Sequence, residues 1–283
     1  MSPATHSSVD MSMAKPFLRW AGGKGQLLDE LDKYVPKKFG RYFEPFLGAG
    51  ALFYHLESTG RIQSAILSDL NARLVNTFRC VRDEVGVVIA VLEELAEKHS
   101  KKRYYVERAR LDEQASYVRA ARFIYINKTC FNGLYRVNKK DGFNVPLDSS
   151  KKKENILDEA RLRVASAGLC GHAIMNADFV IALRDHDVRR GDFCYFDPPY
   201  VPVGADSDFT TYTKEPFGPS EQIRLMRVAK WLREKGVHVV LSNSDTRFVR
   251  ELYKDFDLHP VQARRNINSK TGKRGAVGEL IIT

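Results

Sequence analysis

The 283 residues, 43% of them hydrophobic, suffice for one large domain or a domain carrying an insertion. Lys and Arg total 45 against 35 Asp and Glu, and this formal charge of +10 suits a polyanionic partner. No apolar stretch approaches the ~20 residues of a membrane span, and the N-terminus lacks the apolar core of a signal peptide.

Residues 1–14, rich in Ser, Thr and Met, are expected to form a disordered tail. Arg19-Trp20-Ala21-Gly22-Gly23-Lys24 is a glycine-rich turn, followed by helical periodicity over 26–34. A short strand over 42–46 runs into Gly48-Ala49-Gly50, and a helix follows over 51–57. A second strand, 65–68, ends at Asp69. This order of strand, glycine turn, helix, strand and acid is a Rossmann-like half. The stretch 71–122 is charged, helical and nearly free of Gly and Pro. Beyond it, Lys139-Lys140-Asp141-Gly142 reads as a hairpin turn whose Asp-Gly pair supplies positive-φ positions, with 143–146 as the return strand. Alternation resumes with a strand over 173–176 that leads to Asp178, then the apolar run 193–196. The polar segment 201–218, holding Phe209 and Tyr212, is expected to be a mobile lid. Ser220 is expected to cap a helix reaching residue 235. A strand over 237–242, a helix over 246–253 and a terminal strand pair, 258–263 with 279–282, complete the chain. The fold class is therefore α/β: one sheet interrupted by a mainly helical insertion.

The four cysteines, Cys80, Cys130, Cys170 and Cys194, form no CxxC pair and read as reduced thiols of a cytosolic protein. The seven histidines show no HxH or HxxxH spacing, so no metal site is expected. Asp197-Pro198-Pro199-Tyr200 follows the apolar run 193–196, at the strand edge where open α/β sheets bind ligands. Proline fixes φ and removes backbone donors, which leaves the carbonyl between the prolines free to accept. An acceptor pair with a flat ring beside it suits the exocyclic amino group of a planar heterocycle. Gly48 and Gly50 let backbone approach a ligand, but Phe53 stands where the dinucleotide fingerprint has its third glycine. That argues against a nicotinamide oxidoreductase. Asp69 can accept from both hydroxyls of a ribose. The turn at Gly22-Gly23 lacks the phosphate-loop spacing, yet suits a carboxylate with Lys24 close by.

With these residues the chain resembles the Dam-type, alpha-ordered family of DNA N6-adenine methyltransferases. The blocks that carry the resemblance are RWAGGK (19–24), EPFLGAGALF (44–53), SDLN (68–71), FNGLYRVN (131–138), FNVP (143–146), NADF (176–179) and FDPPY (196–200). The resemblance implies a catalytic, cofactor-binding domain from 15–71 and 170–283, of the S-adenosylmethionine-dependent methyltransferase fold. It implies a DNA-recognition domain over 72–169 that bears a β-hairpin. Trp20, Lys24, Asp69 and Asp197 match positions that contact S-adenosylmethionine. Gly48 and Gly50 match its loop, and Asp178 and Phe179 match a block near its adenine. Arg19 matches a basic residue at the target site, and Phe131, Asn132, Leu134, Arg136 and Pro146 match the segment that reads DNA.

The expected reaction is methylation of the N6 amino group of a flipped adenine in double-stranded DNA, within GATC. Asp197 and the Pro198 carbonyl are expected to accept the two N–H bonds while Tyr200 stacks on the base. Arg264, Arg265, Lys270, Lys273 and Arg274 lie in one loop suited to phosphate contacts. Other readings are a different amino target (cytosine N4, RNA adenine, a glutamine amide), a longer site containing GAT, or a non-catalytic DNA-binding relative. Asp rather than Asn at 197 argues against glutamine methylation. A cognate restriction endonuclease is a possible companion, and the cytoplasm, at the nucleoid, is the expected location.

Overall fold

The apolar runs expected as strands lie side by side in a computed structural model of the chain, which describes residues 10–151, 153–201, 217–264 and 276–283. β1 (Tyr42–Glu44), β2 (Ala65–Asp69), β3 (Ala173–Asn176), β4 (Phe193–Phe196) and β5 (His238–Ser244) pair in parallel, in the order β3-β2-β1-β4-β5. β7 (Ala276–Ile282) joins β5 antiparallel, and β6 (Leu258–Arg264) forms the edge beyond it. The central stretches of the parallel strands are apolar because both faces are covered, and polar residues gather at their C-terminal ends. Phe193 and Tyr195 pack with Tyr42, Leu67 and Val240 on one face. Cys194 and Phe196 pack with Phe43, Ile66 and Leu241 on the other. This is the two-residue alternation of a strand.

Helices α1 (Leu28–Asp32), α2 (Ala51–Ser58), α3 (Ala72–Glu97) and α6 (Glu159–Leu169) contribute to the first face. α7 (Phe179–Asp185), α8 (Pro219–Glu234) and α9 (Arg247–Leu252) cover the second. Burying each large side chain of these faces stabilises the fold by about 1.5–3 kcal/mol. Between α3 and α6 the chain adds α4 (Lys101–Ala109) and α5 (Ser116–Thr129). Their buried faces belong to the same apolar cluster as the first face of the sheet, with α5 packed on α3 and α4 on α5, so this part of the chain continues the core. Arg122 and Glu107 pin α5 to α4 across 2.5 Å, both nearly buried. Arg122 also donates to the carbonyls of Arg110 and Glu113 at 2.9 Å, so the buried charge is well satisfied.

Several expectations change. The helix over 26–34 begins as a 3₁₀ turn at Lys24–Gln26, and α1 covers only five residues. α8 is capped by Gly218 with Pro219 in its first turn, so Ser220 lies inside the helix. The hairpin is not a ladder: Val137 with Phe143 and Cys130 with Leu147 form isolated bridges. Asp141 has φ +62°, but Gly142 is not left-handed. The Asn138 side chain organises this turn, its Oδ1 accepting from Lys140 N at 2.9 Å and Gly142 N at 3.0 Å. Part of the expected tail is folded, since Asp10 caps a 3₁₀ turn over Met11–Met13 and Ala14 is buried. Residues 1–9, the Phe209 and Tyr212 segment, and Arg265, Lys270, Lys273 and Arg274 lie outside the described residues. Arg264 ends β6. All four cysteines are free thiols, and only Cys170 is exposed. Among the described residues no helix is long and apolar enough to cross a membrane.

Candidate active site

Strand order reverses between β1 and β4, and the loops that leave their C-terminal ends diverge to open a crevice. The glycine loop lines one side and Asp197-Pro198-Pro199-Tyr200 the other. Asp197 Oδ1 lies 2.8 Å from Lys24 Nζ and accepts from Ser242 Oγ at 3.0 Å. Ser242 Oγ is also 2.9 Å from Tyr195 Oη. Burial raises Asp197 above the ordinary carboxylate range, against the opposing effects of Lys24 and Ser242. A carboxylate so held is a strong acceptor. Gln222 Nε2 occupies the Pro199 carbonyl at 3.0 Å, whereas among the described residues no donor reaches the Pro198 carbonyl. Tyr200 Oη donates to Glu279 Oε2 at 2.7 Å, which fixes the ring at the crevice.

Lys24 is 4% exposed, and its ammonium pairs with the protein's own Asp197, a partner the motif did not indicate. The same ammonium donates to Gly22 O at 2.6 Å and sits 4.5 Å from the Tyr200 ring centroid.

Across the crevice Gly48 has φ +49°, and a Cβ there would lie 2.9 Å from Trp20 Cδ1, so only glycine fits under this ring. Gly50, at φ +68°, is the N-cap of α2. Gly48 N donates to Asp69 Oδ2 at 3.1 Å and Asn71 N to Oδ1 at 2.9 Å. A carboxylate has about four lone-pair sites, so each oxygen of this half-buried acid can still accept a ligand hydroxyl. Burial raises Asp69 despite these N–H donors. The bare glycine loop and the acid beside it fit a nucleoside-like ligand. Asp178 caps α7 through Val180 N, at 2.9 Å, and is ion-paired with Arg224. Arg224 lies 4.5 Å from the Phe179 ring centroid, and Phe179 stacks on Phe46 at 5.5 Å. At 2% exposure Phe179 is chiefly a wall of the second core, offering little open area. A cleft of about 1000 Å³ runs from Asn176 and Asp178 past Arg73 to Tyr135 and Asp141.

The candidate DNA-reading residues form one neighbourhood. Asn127 clamps the backbone of exposed Arg19, accepting from its N–H at 2.8 Å and donating to its carbonyl at 2.7 Å. Gly133, at φ +66°, approaches Arg19 so closely that a Cβ would lie 2.6 Å from the Arg19 Cβ. Phe131 is 43% exposed, and its N–H donates to the carbonyl of exposed Pro146 at 2.9 Å. Asn132 takes φ +55° in the same turn. Leu134 packs partly on the core, while Arg136 is exposed with Nε 2.7 Å from Asn144 Oδ1.

Sequence reasoning missed several residues here, Ser242, Lys128 and Glu44 among them. Ser242 is buried at the end of an apolar strand, and a polar Ser-Asn-Ser finish to such a strand was the available signal. Lys128, on α5, is pushed down to about 8 by burial and by nearby Arg161 and Arg19. Glu44 ends β1 at 2% exposure, accepting from Tyr42 Oη at 2.9 Å. Burial pushes Glu44 up to about 8, and nearby Asp197 adds to the rise.

A carboxyl whose folded pKa lies above its unfolded value makes the protein most stable when protonated. This contribution is complete below the unfolded value of 4.5 and is lost as pH rises through about 8. Glu44→Gln, neutral at every pH, is expected to flatten the fall of Tm across that window. It should also melt several degrees above the parent beyond pH 8. Calorimetric melts at matched pH check this, and parallel Tm profiles would refute the buried-acid assignment.

The parallel sheet, its switch point and the acid that follows β4 beside a glycine loop define the class: a doubly wound α/β protein. Residues 20–267 match the family model of the D12 class N6 adenine-specific DNA methyltransferases. A Type II methyltransferase of Lactococcus lactis subsp. cremoris is 40% identical over 276 residues, covering 95% of each chain. A second Type II methyltransferase, of Methanocaldococcus jannaschii, is 38% identical over 95% of this chain and 98% of its own. The DNA adenine methylase of Escherichia coli is 34% identical over 96% of this chain and 95% of its own. The chain thus belongs to the D12 class of adenine-specific DNA methyltransferases, and the family's reaction calls for a methyl donor and DNA. Its seven-stranded sheet is consistent with the S-adenosylmethionine-dependent methyltransferase fold.

Proposed function

We propose that the protein transfers a methyl group from S-adenosylmethionine to the N6 amino group of an adenine flipped out of duplex DNA, within GATC. The observation that carries this reading is the acceptor pair at the crevice, the Asp197 carboxylate and the Pro198 carbonyl. When bound, S-adenosylmethionine supplies an electrophilic methyl group. The glycine loop at Gly48 and Gly50, with Trp20 over it and Asp69 accepting from a ribose, suits that ligand. Asp178 and Phe179, at the end of the neighbouring strand β3, would lie near its adenine.

An adenine amino group is a weak nucleophile because its lone pair is delocalised into the ring, and a stacked duplex hides it. Asp197 and Pro198 O accept its two N–H bonds, which turns the lone pair out of the ring plane. The Asp197 charge would also stabilise the positive charge that the nitrogen gains as the methyl group leaves sulfur. One N6 proton is then lost to leave a neutral amine, with S-adenosylhomocysteine as the other product. The Lys24 ammonium shares Asp197 Oδ1 and must leave room for the amino group. Tyr200, anchored on Glu279, lies where it can stack on the base. Positioning and preorganised charge then supply the rate.

Arg19, Phe131, Asn132, Leu134, Arg136 and Pro146 are the residues we assign to DNA; all but Arg19 belong to the segment 72–169 that we assign to recognition, and Arg19 is held beside it by Asn127. Phosphate contacts from Arg264, Arg265 and Lys273 would add affinity without sequence choice. The Type II names among the relatives support a restriction-modification setting, and we propose a companion endonuclease that acts on the same site without direct binding. The reaction would take place in the cytoplasm, on nucleoid DNA. Plasmid from cells expressing the protein, read by modification-sensitive sequencing, is expected to carry N6-methyladenine at GATC. Methylation of a longer site containing GAT would correct the target alone. N4-methylcytosine or unmodified DNA would overturn the reaction itself.

A further inference from the structure

Arg73 stands in the first turn of α3, four residues beyond Asp69, and its side chain is only 15% exposed. Its guanidinium joins three separate parts of the chain. Nε and Nη2 each lie 2.6 Å from an Asp112 oxygen, in the loop between α4 and α5. Nη1 donates to Tyr135 Oη at 2.9 Å. Nη2 also donates to Asp141 O at 2.8 Å and Oδ2 at 3.1 Å, at the tip of the turn between Arg136 and Asn144. Asp141 is the residue held at φ +62°.

These contacts close a circuit. Gly48 N bonds Asp69, and Asp69 bonds Asn71 N. The Asn71 side chain accepts from Arg73 N at 3.1 Å, and Arg73 holds Tyr135. Tyr135 stacks on Trp20 with centroids 5.4 Å apart and planes 26° apart, and Trp20 lies against Gly48. Tyr135 is buried, yet its chain neighbours are Leu134 and Arg136, two of the residues assigned above to DNA. A shift of the glycine loop or of Asp69 therefore bears on the segment that carries those two side chains, and the reverse holds.

We infer that Arg73 is a positioning residue that couples occupancy of the cofactor pocket to the set of the DNA-reading segment. This rests on the functional reading above. Its physical requirement is a planar fork, because the three partners approach from different directions. A lysine ammonium is a point charge at the end of a flexible stem and cannot span them. Coupling between two ligands is reciprocal, so it can be read from either side.

The test uses the full chain, S-adenosylhomocysteine as a non-reacting probe of the cofactor pocket, and a short GATC duplex. Calorimetry measures the probe's Kd with and without duplex. In the parent, duplex is expected to tighten the probe by about fivefold or more. In Arg73→Ala and Arg73→Lys the factor is expected to fall to about one, with the Kd in the absence of DNA within about twofold of the parent. Asp141→Asn keeps a residue type that tolerates positive φ. It should lower the factor with Tm unchanged within about 2 °C, and it serves if Arg73→Ala does not fold. In a Trp231→Phe background Trp20 is the sole tryptophan, since the chain has two. Its emission should respond to duplex in the parent and not in the Arg73 variants. Full coupling in Arg73→Ala, or in Asp141→Asn should Arg73→Ala not fold, overturns the inference, as does independent binding of the two ligands to the parent. A parent that binds neither probe nor duplex overturns the functional reading instead.

Discussion

Asp197→Ala is expected to lower the rate of methyl transfer by at least about a thousandfold. The variant loses a charged acceptor for the amino group and the negative charge that stabilises the developing positive nitrogen. Together these are worth about 4 kcal/mol, and each 1.36 kcal/mol is tenfold in rate. Stability must be followed in parallel, because Lys24 is 4% exposed and would lose its counter-ion. Removing one partner of a buried pair costs about 3–5 kcal/mol. The penalty here should lie at the low end, since the Asp197 side chain is 21% exposed and water can enter. Asp197→Asn separates the two effects. It keeps an acceptor oxygen and the shape of the turn but not the charge, and should fall between parent and alanine variant. Single-turnover transfer of a labelled methyl group measures the rate, and fluorescence anisotropy measures duplex binding, which should change by less than about threefold. Transfer by Asp197→Ala within tenfold of the parent would sink the catalytic assignment.

Arg136→Ala is expected to relax the choice of base far more than it weakens binding. The guanidinium is exposed and held by Asn144, with Nε 2.7 Å from Oδ1, so it is presented in one orientation. A bidentate contact of arginine to guanine is worth about 1–3 kcal/mol of discrimination. The ratio of transfer rates on GATC and on a duplex with the guanine replaced should therefore drop by about 5- to 150-fold. Affinity for unrelated duplex, and its dependence on salt, should scarcely move, because those follow phosphate contacts. An undiminished rate ratio would assign the discrimination elsewhere in the segment, with Leu134 the next residue to vary.

Legibility differed sharply between kinds of residue. DPPY and the glycine loop were readable because each works through contiguous backbone: a proline pair, a positive φ, a strand ending in an acid. Asp69 was readable for the same reason, lying at a strand end about twenty residues beyond the glycines, where doubly wound folds place an acid. Arg224 was not. On an amphipathic helix it looks like a solvated cation, and only packing of α8 beside α7 brings it to Asp178. Lys24 was seen as a site residue, but its pairing with Asp197 was not foreseen, because Asp197 lies far along the chain and reaches it only across the sheet's switch point.

Local patterns of charge, proline, glycine and apolar alternation, with the motif blocks in their order, were enough to determine the α/β class, the helical insertion and the kind of chemistry. Those features depend on neighbours in the chain, whose geometry the backbone imposes. Tertiary structure alone decided that Ser242 and Lys24 share Asp197, that Glu44 is buried with a raised pKa, and that Arg73 ties the turn at Asp141 to α3. Each of these depends on burial and on side chains from distant segments meeting at bonding distance, which no local pattern encodes.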